Sequence, residues 1–99
     1  TAQQFLIMEY DMDIVTNVKL RLNDQYVFSI SQETAPKNLV EVALLNGKRF
    51  VHCGEWCVNW VGEEYDDDVV RMLNAHDVAD LLQFAKEYVY IKEHENVSP

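Results

Sequence analysis

The chain has 99 residues, 48% of them apolar and 11% aromatic, enough for one domain with its own core and too few for two. Seventeen Asp and Glu against eight Lys and Arg leave a net charge of −9, which repels nucleic-acid phosphates and anionic membrane surfaces and favours basic partners. Apolar runs reach only four residues, Phe5-Leu6-Ile7-Met8 among them, and two cysteines are too few for a secreted disulfide framework; no membrane-spanning helix or signal peptide is expected, and a cytoplasmic protein is.

Residues 5–10 and 14–22 read as strands. In the second, Ile14, Val18, Leu20 and Leu22 alternate with Asn17, Lys19 and Arg21, the pattern of a strand with one wet face. Residues 25–30 form the next strand, and its register can be argued. A two-residue turn at Asn23-Asp24 would set Lys19 against Phe28. A three-residue loop, Asn23 to Gln25, sets Leu22, Leu20 and Val18 opposite Tyr26, Phe28 and Ile30, so that all six share a face. Thr34 to Lys37 is a loop, because Pro36 cannot donate to a ladder.

Asn46-Gly47 between residues 39–45 and 48–53 predicts a hairpin with a type I′ turn. It brings Leu44, Val42 and Val40 beside Arg49, Val51 and Cys53. Residues 56–61 read as a further short strand, with Trp56, Val58 and Trp60 on one face. Residues 69–73 suit either a short helix capped by Asp66–Asp68 or an edge strand, and the β-branched Val69-Val70 favours the strand.

Asn74 followed by Asp77 is a capping-box variant, and Val78, Leu81, Leu82, Ala85 and Val89 recur at helical spacing. That helix should end near residues 90–93, leaving a frayed tail from about residue 93. The expected fold is α+β in a single domain, residues 1–99: a largely antiparallel sheet of five or six strands with one long C-terminal helix on one face.

No Ser nucleophile elbow, phosphate-cradling glycine loop or His-Glu-x-x-His helix is present. His52, Cys53 and Cys57 invite a zinc reading, but the paired spacing and fourth ligand of a closed site are missing. A disulfide between Cys53 and Cys57 requires them to face each other across a tight loop; otherwise they are small apolar groups. Glu55, Glu63 and Glu64 would raise a thiol pKa nearby, which works against a cysteine nucleophile. Asp11 and Asp13 share a strand face as solvated carboxylates or, less simply, an acid/base pair. The expectation is a non-enzyme with no cofactor and no metal.

The acidic run is the feature that points to function. Glu63, Glu64, Asp66, Asp67 and Asp68 surround Tyr65, and Arg71 is the sole Lys or Arg between residues 55 and 80. Like charges so close together repel and cost stability unless something offsets them. A solvated loop, a cap, or a surface for a basic partner would each explain the run; the pattern of a Ca²⁺ loop is not matched. Trp56 and Trp60 are either core or, with Tyr65, aromatic anchors beside an acidic rim.

The expected activity is therefore that of a small acidic binding protein, an inhibitor of the anti-defence or immunity type. It would occupy the basic, nucleic-acid-binding surface of a partner such as a nuclease, without binding nucleic acid or membrane itself. The alternative is an assembly subunit that homo-oligomerises, as a homodimer for instance, through a Phe84/Tyr88 helix strip or an open strand edge.

Overall fold

A computed structural model describes residues 17–32 and 39–95. The expected strand at 5–10, the start of the 14–22 strand, the loop at 34–37 and the pair Asp11 and Asp13 lie outside them.

Strands β1 (Asn17–Arg21) and β2 (Tyr26–Gln32) pair antiparallel, with Leu20 opposite Phe28 and Val18 opposite Ile30. This is the register that the three-residue loop demands. Asn23 fixes the turn: its side-chain oxygen accepts from the backbone N–H of Gln25 at 2.8 Å and of Tyr26 at 2.7 Å, an Asx turn built by a short amide.

Strand β3 (Val40–Asn46) lies against β2 over its whole length, Phe28 opposite Leu44 and Ile30 opposite Val42. Two strands share its other edge. Strand β4 (Arg49–Phe50) pairs at the Leu45–Asn46 end and β5 (Val70–Leu73) at the Val40–Val42 end. The described residues thus form a five-stranded antiparallel sheet.

The hairpin between β3 and β4 differs from the I′ expectation. Asn46 stays in the ladder opposite Arg49, so Gly47 and Lys48 make the turn. Of these two only Gly47 has positive φ, 65°, as in a II′ turn rather than I′. The pairing moves by two residues, so Val51 donates its N–H to Leu44 at 2.8 Å. An even shift keeps every side chain on its expected face. Residues 70–73 are the favoured strand. Its register slips between Val40 and Val42, and within this bulge Met72 takes φ 61°, a conformation unusual for a side chain of this size.

The strand expected over 56–61 is instead two short helical turns, α1 (Cys53–Trp56) and α2 (Val58–Val61). The reason lies in the spacing of Cys53, Trp56, Cys57, Trp60 and Val61, which is i, i+3, i+4, i+7, i+8. Gly62 ends α2 at φ 95°, where any Cβ is strained. Helix α3 (Ala75–Glu95) runs slightly beyond its expected end. Its capping box forms as anticipated: Asn74 Oδ1 accepts from Asp77 N–H at 2.9 Å, and Asp77 Oδ2 accepts from Asn74 N–H at 3.1 Å.

The core lies between α3 and one face of the sheet. Phe28, Val42 and Leu44 meet Leu81, Ala85 and Val89, with Cys53, Trp56 and Cys57 closing one side. Tyr26 and Tyr88 meet edge to face at 5.9 Å, and Phe28 and Trp56 at 6.0 Å, the geometry that aromatic quadrupoles favour.

Candidate functional site

The acidic run follows directly from the end of α2. Glu63 and Glu64 form the turn after Gly62, closed by Tyr65 N–H on the Gly62 carbonyl at 3.3 Å, and both side chains are exposed. Tyr65 turns inward. Its ring packs against the core and its hydroxyl donates to the Val69 carbonyl. Burial, followed by the fields of Cys53 and Asp67, pushes its phenol pKa up. Tyr65 therefore anchors the loop from within.

Two further ties hold the loop to α1. Cys53 N–H donates to the Asp67 carbonyl at 3.1 Å. His52 caps α1 by accepting the Gly54 N–H on Nδ1 at 3.0 Å, while its Nε2 lies 3.0 Å from Asp66 Oδ1. With Nδ1 an acceptor, Nε2 carries the proton and donates to Asp66. His52, read from sequence as a metal-ligand candidate, is a clasp between helix and loop.

The five carboxylates then separate by role. Asp67 is structural: Oδ1 accepts from the N–H groups of Asp68 at 2.6 Å and Val69 at 3.3 Å, and Oδ2 pairs with Arg71. The Arg71 guanidinium and these amides hold its carboxyl below the usual carboxylate range. Arg71 also reaches Glu41 on β3 at 3.5 Å, so the cation within the acidic stretch is already engaged. Asp66 projects outward with its side chain 95% exposed. Among the described residues, Glu63, Glu64, Asp66 and Asp68 pair with no Lys or Arg.

The two tryptophans also separate. Trp56 is 3% exposed, in the core against Phe28, and so is withdrawn from any contact surface. Its buried Nε1–H has no hydrogen-bond partner among the described residues. Trp60 is half-buried and lines a shallow groove with Asp80, Gln83, Phe84 and Glu87. Phe84 and Tyr88 pack against the core, whereas Tyr90 and Ile91 on α3 are 61% and 55% exposed.

Cys53 and Cys57 are free thiols, 0% and 1% exposed. They lie four residues apart on one helical face, not across a hairpin. Their mutual hydrogen bond, and then burial, push the Cys57 thiol up. The same bond draws Cys53 down against the opposing effects of burial, Asp67 and Asp68. Both ring nitrogens of His52 are occupied, so it is not placed to act as their base. Among the described residues no group of three or more His, Cys, Asp or Glu is arranged to hold a metal ion, and no helix is long and apolar enough to cross a membrane.

Comparison of the chain finds no matching protein-family model, no similar curated protein and no similar solved structure. Function must be argued from the site.

Proposed function

We propose that this chain is a small acidic binding protein that inhibits a partner by occupying its basic, nucleic-acid-binding surface, as anti-defence and immunity-type proteins do. The observation that carries this reading is the division within the acidic loop. Asp67 with Arg71, Tyr65 with Val69, and His52 with Asp66 fix the loop backbone. Glu63, Glu64 and Asp66 are left exposed on it and Asp68 half-buried, all four without a Lys or Arg ion pair among the described residues.

A preorganised array of carboxylates binds a Lys/Arg-rich groove without the entropy cost of ordering a loose loop. It can stand in for phosphates there and, by long-range attraction, speeds encounter. Trp60, beside Asp80 and Glu87, supplies aromatic contact at the margin, a role that Trp56 is too deeply buried to play.

The test is affinity capture from lysate on the immobilised chain, repeated with duplex DNA as competitor and at rising salt. The expected captured protein carries a nucleic-acid-binding site, and both DNA and salt release it. Capture that persists under DNA excess and high salt would overturn the reading.

A further inference from the structure

A groove opens between Trp60, on α2, and one side of α3. Its α3 wall is Asp80, Gln83, Phe84 and Glu87, which stand at i, i+3, i+4 and i+7 and so share one face of the helix. Trp60 and Phe84 are half-buried and make the groove aromatic, while Asp80, Gln83 and Glu87 are exposed, so its margin is open to solvent.

The polar margin offers acceptors. Among the described residues neither Asp80 nor Glu87 forms an ion pair with Lys or Arg. Gln83 donates from Nε2 to Glu87 at 3.3 Å, which leaves its carbonyl oxygen to accept. No Lys or Arg among them lines the groove; Lys86 lies along a neighbouring one with Tyr90 and Ile91. Such a margin calls for a cation rich in donors. The aromatic lining calls for one that is flat. Ring faces attract cations, tryptophan most of all. A guanidinium stacks on a ring while its N–H fork reaches a carboxylate in its own plane, which a compact ammonium cannot do. The volume, about 190 Å³, is below the ~300–1,000 Å³ of small-molecule sites and suits a single long side chain.

We propose that this groove receives an arginine side chain of the partner, its guanidinium laid against Trp60 and hydrogen-bonded to the Gln83 carbonyl and a flanking carboxylate. Arginine is enriched among the residues that carry interface affinity, and the second carboxylate adds its field without having to touch it. The inference rests on the proposed binding of a basic surface and names the side chain that anchors it. The groove borders the acidic loop, since Trp60 precedes Glu63 by three residues, yet shares none of its carboxylates.

The test is proton–nitrogen NMR of the full chain with a blocked glycine-arginine-glycine tripeptide, titrated to about 50 mM at constant ionic strength. One side chain on an open groove is expected to bind with Kd of about 1–10 mM. The Trp60 indole signal, identified by its loss in Trp60→Phe, should shift saturably while that of Trp56 stays in place. The same peptide with neutral citrulline for arginine should bind at least tenfold more weakly, and so should the arginine peptide to Asp80→Asn combined with Glu87→Gln, both at exposed positions. Removing the loop charges Glu63, Glu64, Asp66 and Asp68 as amides should change peptide affinity by no more than threefold. Absence of a saturable Trp60 shift, equal binding of the citrulline or a lysine peptide, or loss of binding in the loop variant overturns the assignment. A chain that binds the arginine peptide through Trp60 but captures no nucleic-acid-binding protein refutes the proposed function and leaves the groove standing.

Discussion

Replacing Asn74 by Ala tests how α3 is started. The side-chain oxygen of Asn74 satisfies the Asp77 N–H at 2.9 Å, and the Asp77 carboxylate returns a bond to Asn74 N–H at 3.1 Å. Removing the amide orphans one donor of the first turn. The site is exposed, so water replaces part of the loss, and the cost is about 1 kcal/mol. For a domain of this size that corresponds to a fall in Tm of roughly 4–8 °C. Asp77→Ala removes the returning bond and a favourable charge at the helix N-terminus, and should cost about half as much. Because the two side chains act as one device, the double variant should cost less than the sum. Thermal and urea unfolding of the four proteins gives the cycle, with Asn74→Asp as a near-neutral control. If Asn74→Ala unfolds within about 0.3 kcal/mol of the parent, or if the two effects simply add, the reciprocal cap is not what holds this helix end.

Gly62→Ala should destabilise by about 1 kcal/mol, because a Cβ there meets no atom within 4 Å and the cost comes only from φ 95°; a neutral urea midpoint would contradict this. Both thiols should resist a water-soluble disulfide reagent in the native protein and react fully in denaturant, as 0% and 1% exposure requires; fast native reaction would refute their burial. Tyr88 is pushed up to about 12 by burial, then by Glu55 and Tyr26. Its contribution to stability is fully present below pH ~10 and is lost as pH rises toward the folded value, which an ultraviolet tyrosinate titration of Tyr88→Phe against the parent would show. For Asp67 the sign is opposite. Its depressed carboxyl contributes stability above the ordinary carboxylate range that is lost as pH falls through the folded value, so Asp67→Asn should flatten the acid limb of the pH–stability curve.

The parts of the fold legible in the sequence were those with one dominant local signal. Only a three-residue loop puts Val18, Leu20, Leu22, Tyr26, Phe28 and Ile30 on one face, and the β1–β2 register follows. The capping box announced α3. Residues 53–61 were harder because two periods coexist there. Trp56, Val58 and Trp60 alternate as in a strand, while Cys53, Trp56, Cys57, Trp60 and Val61 recur as in a helix. The longer pattern prevails because burying Trp56, Cys53 and Cys57 together against Phe28 and Leu44 needs the helical face. At Asn46-Gly47 the preferred turn chemistry gave way to the ladder, since Asn46 remains paired with both Tyr26 and Arg49.

Within the acidic run, composition gave charge but not role. That Asp67 is tied to Arg71 had a local cue in their i, i+4 spacing. Its bonds to the Asp68 and Val69 amides, and the reach of Arg71 to Glu41, depend on where β5 docks on β3. The clasp of His52 on Asp66 spans fourteen positions, and no local pattern encodes it. The withdrawal of Trp56 into the core follows from the same misassigned segment.

The division of labour among the carboxylates is tested most directly by measuring the captured partner's affinity for two variants across a salt series. Glu63→Gln, Glu64→Gln, Asp66→Asn and Asp68→Asn, combined in one chain, should weaken binding by at least a hundredfold and reduce its salt dependence while the fold persists. Asp67→Asn alone, folded at neutral pH, should bind within a fewfold of the parent. Undiminished binding by the quadruple variant would show that the loop's exposed charges are not the contact.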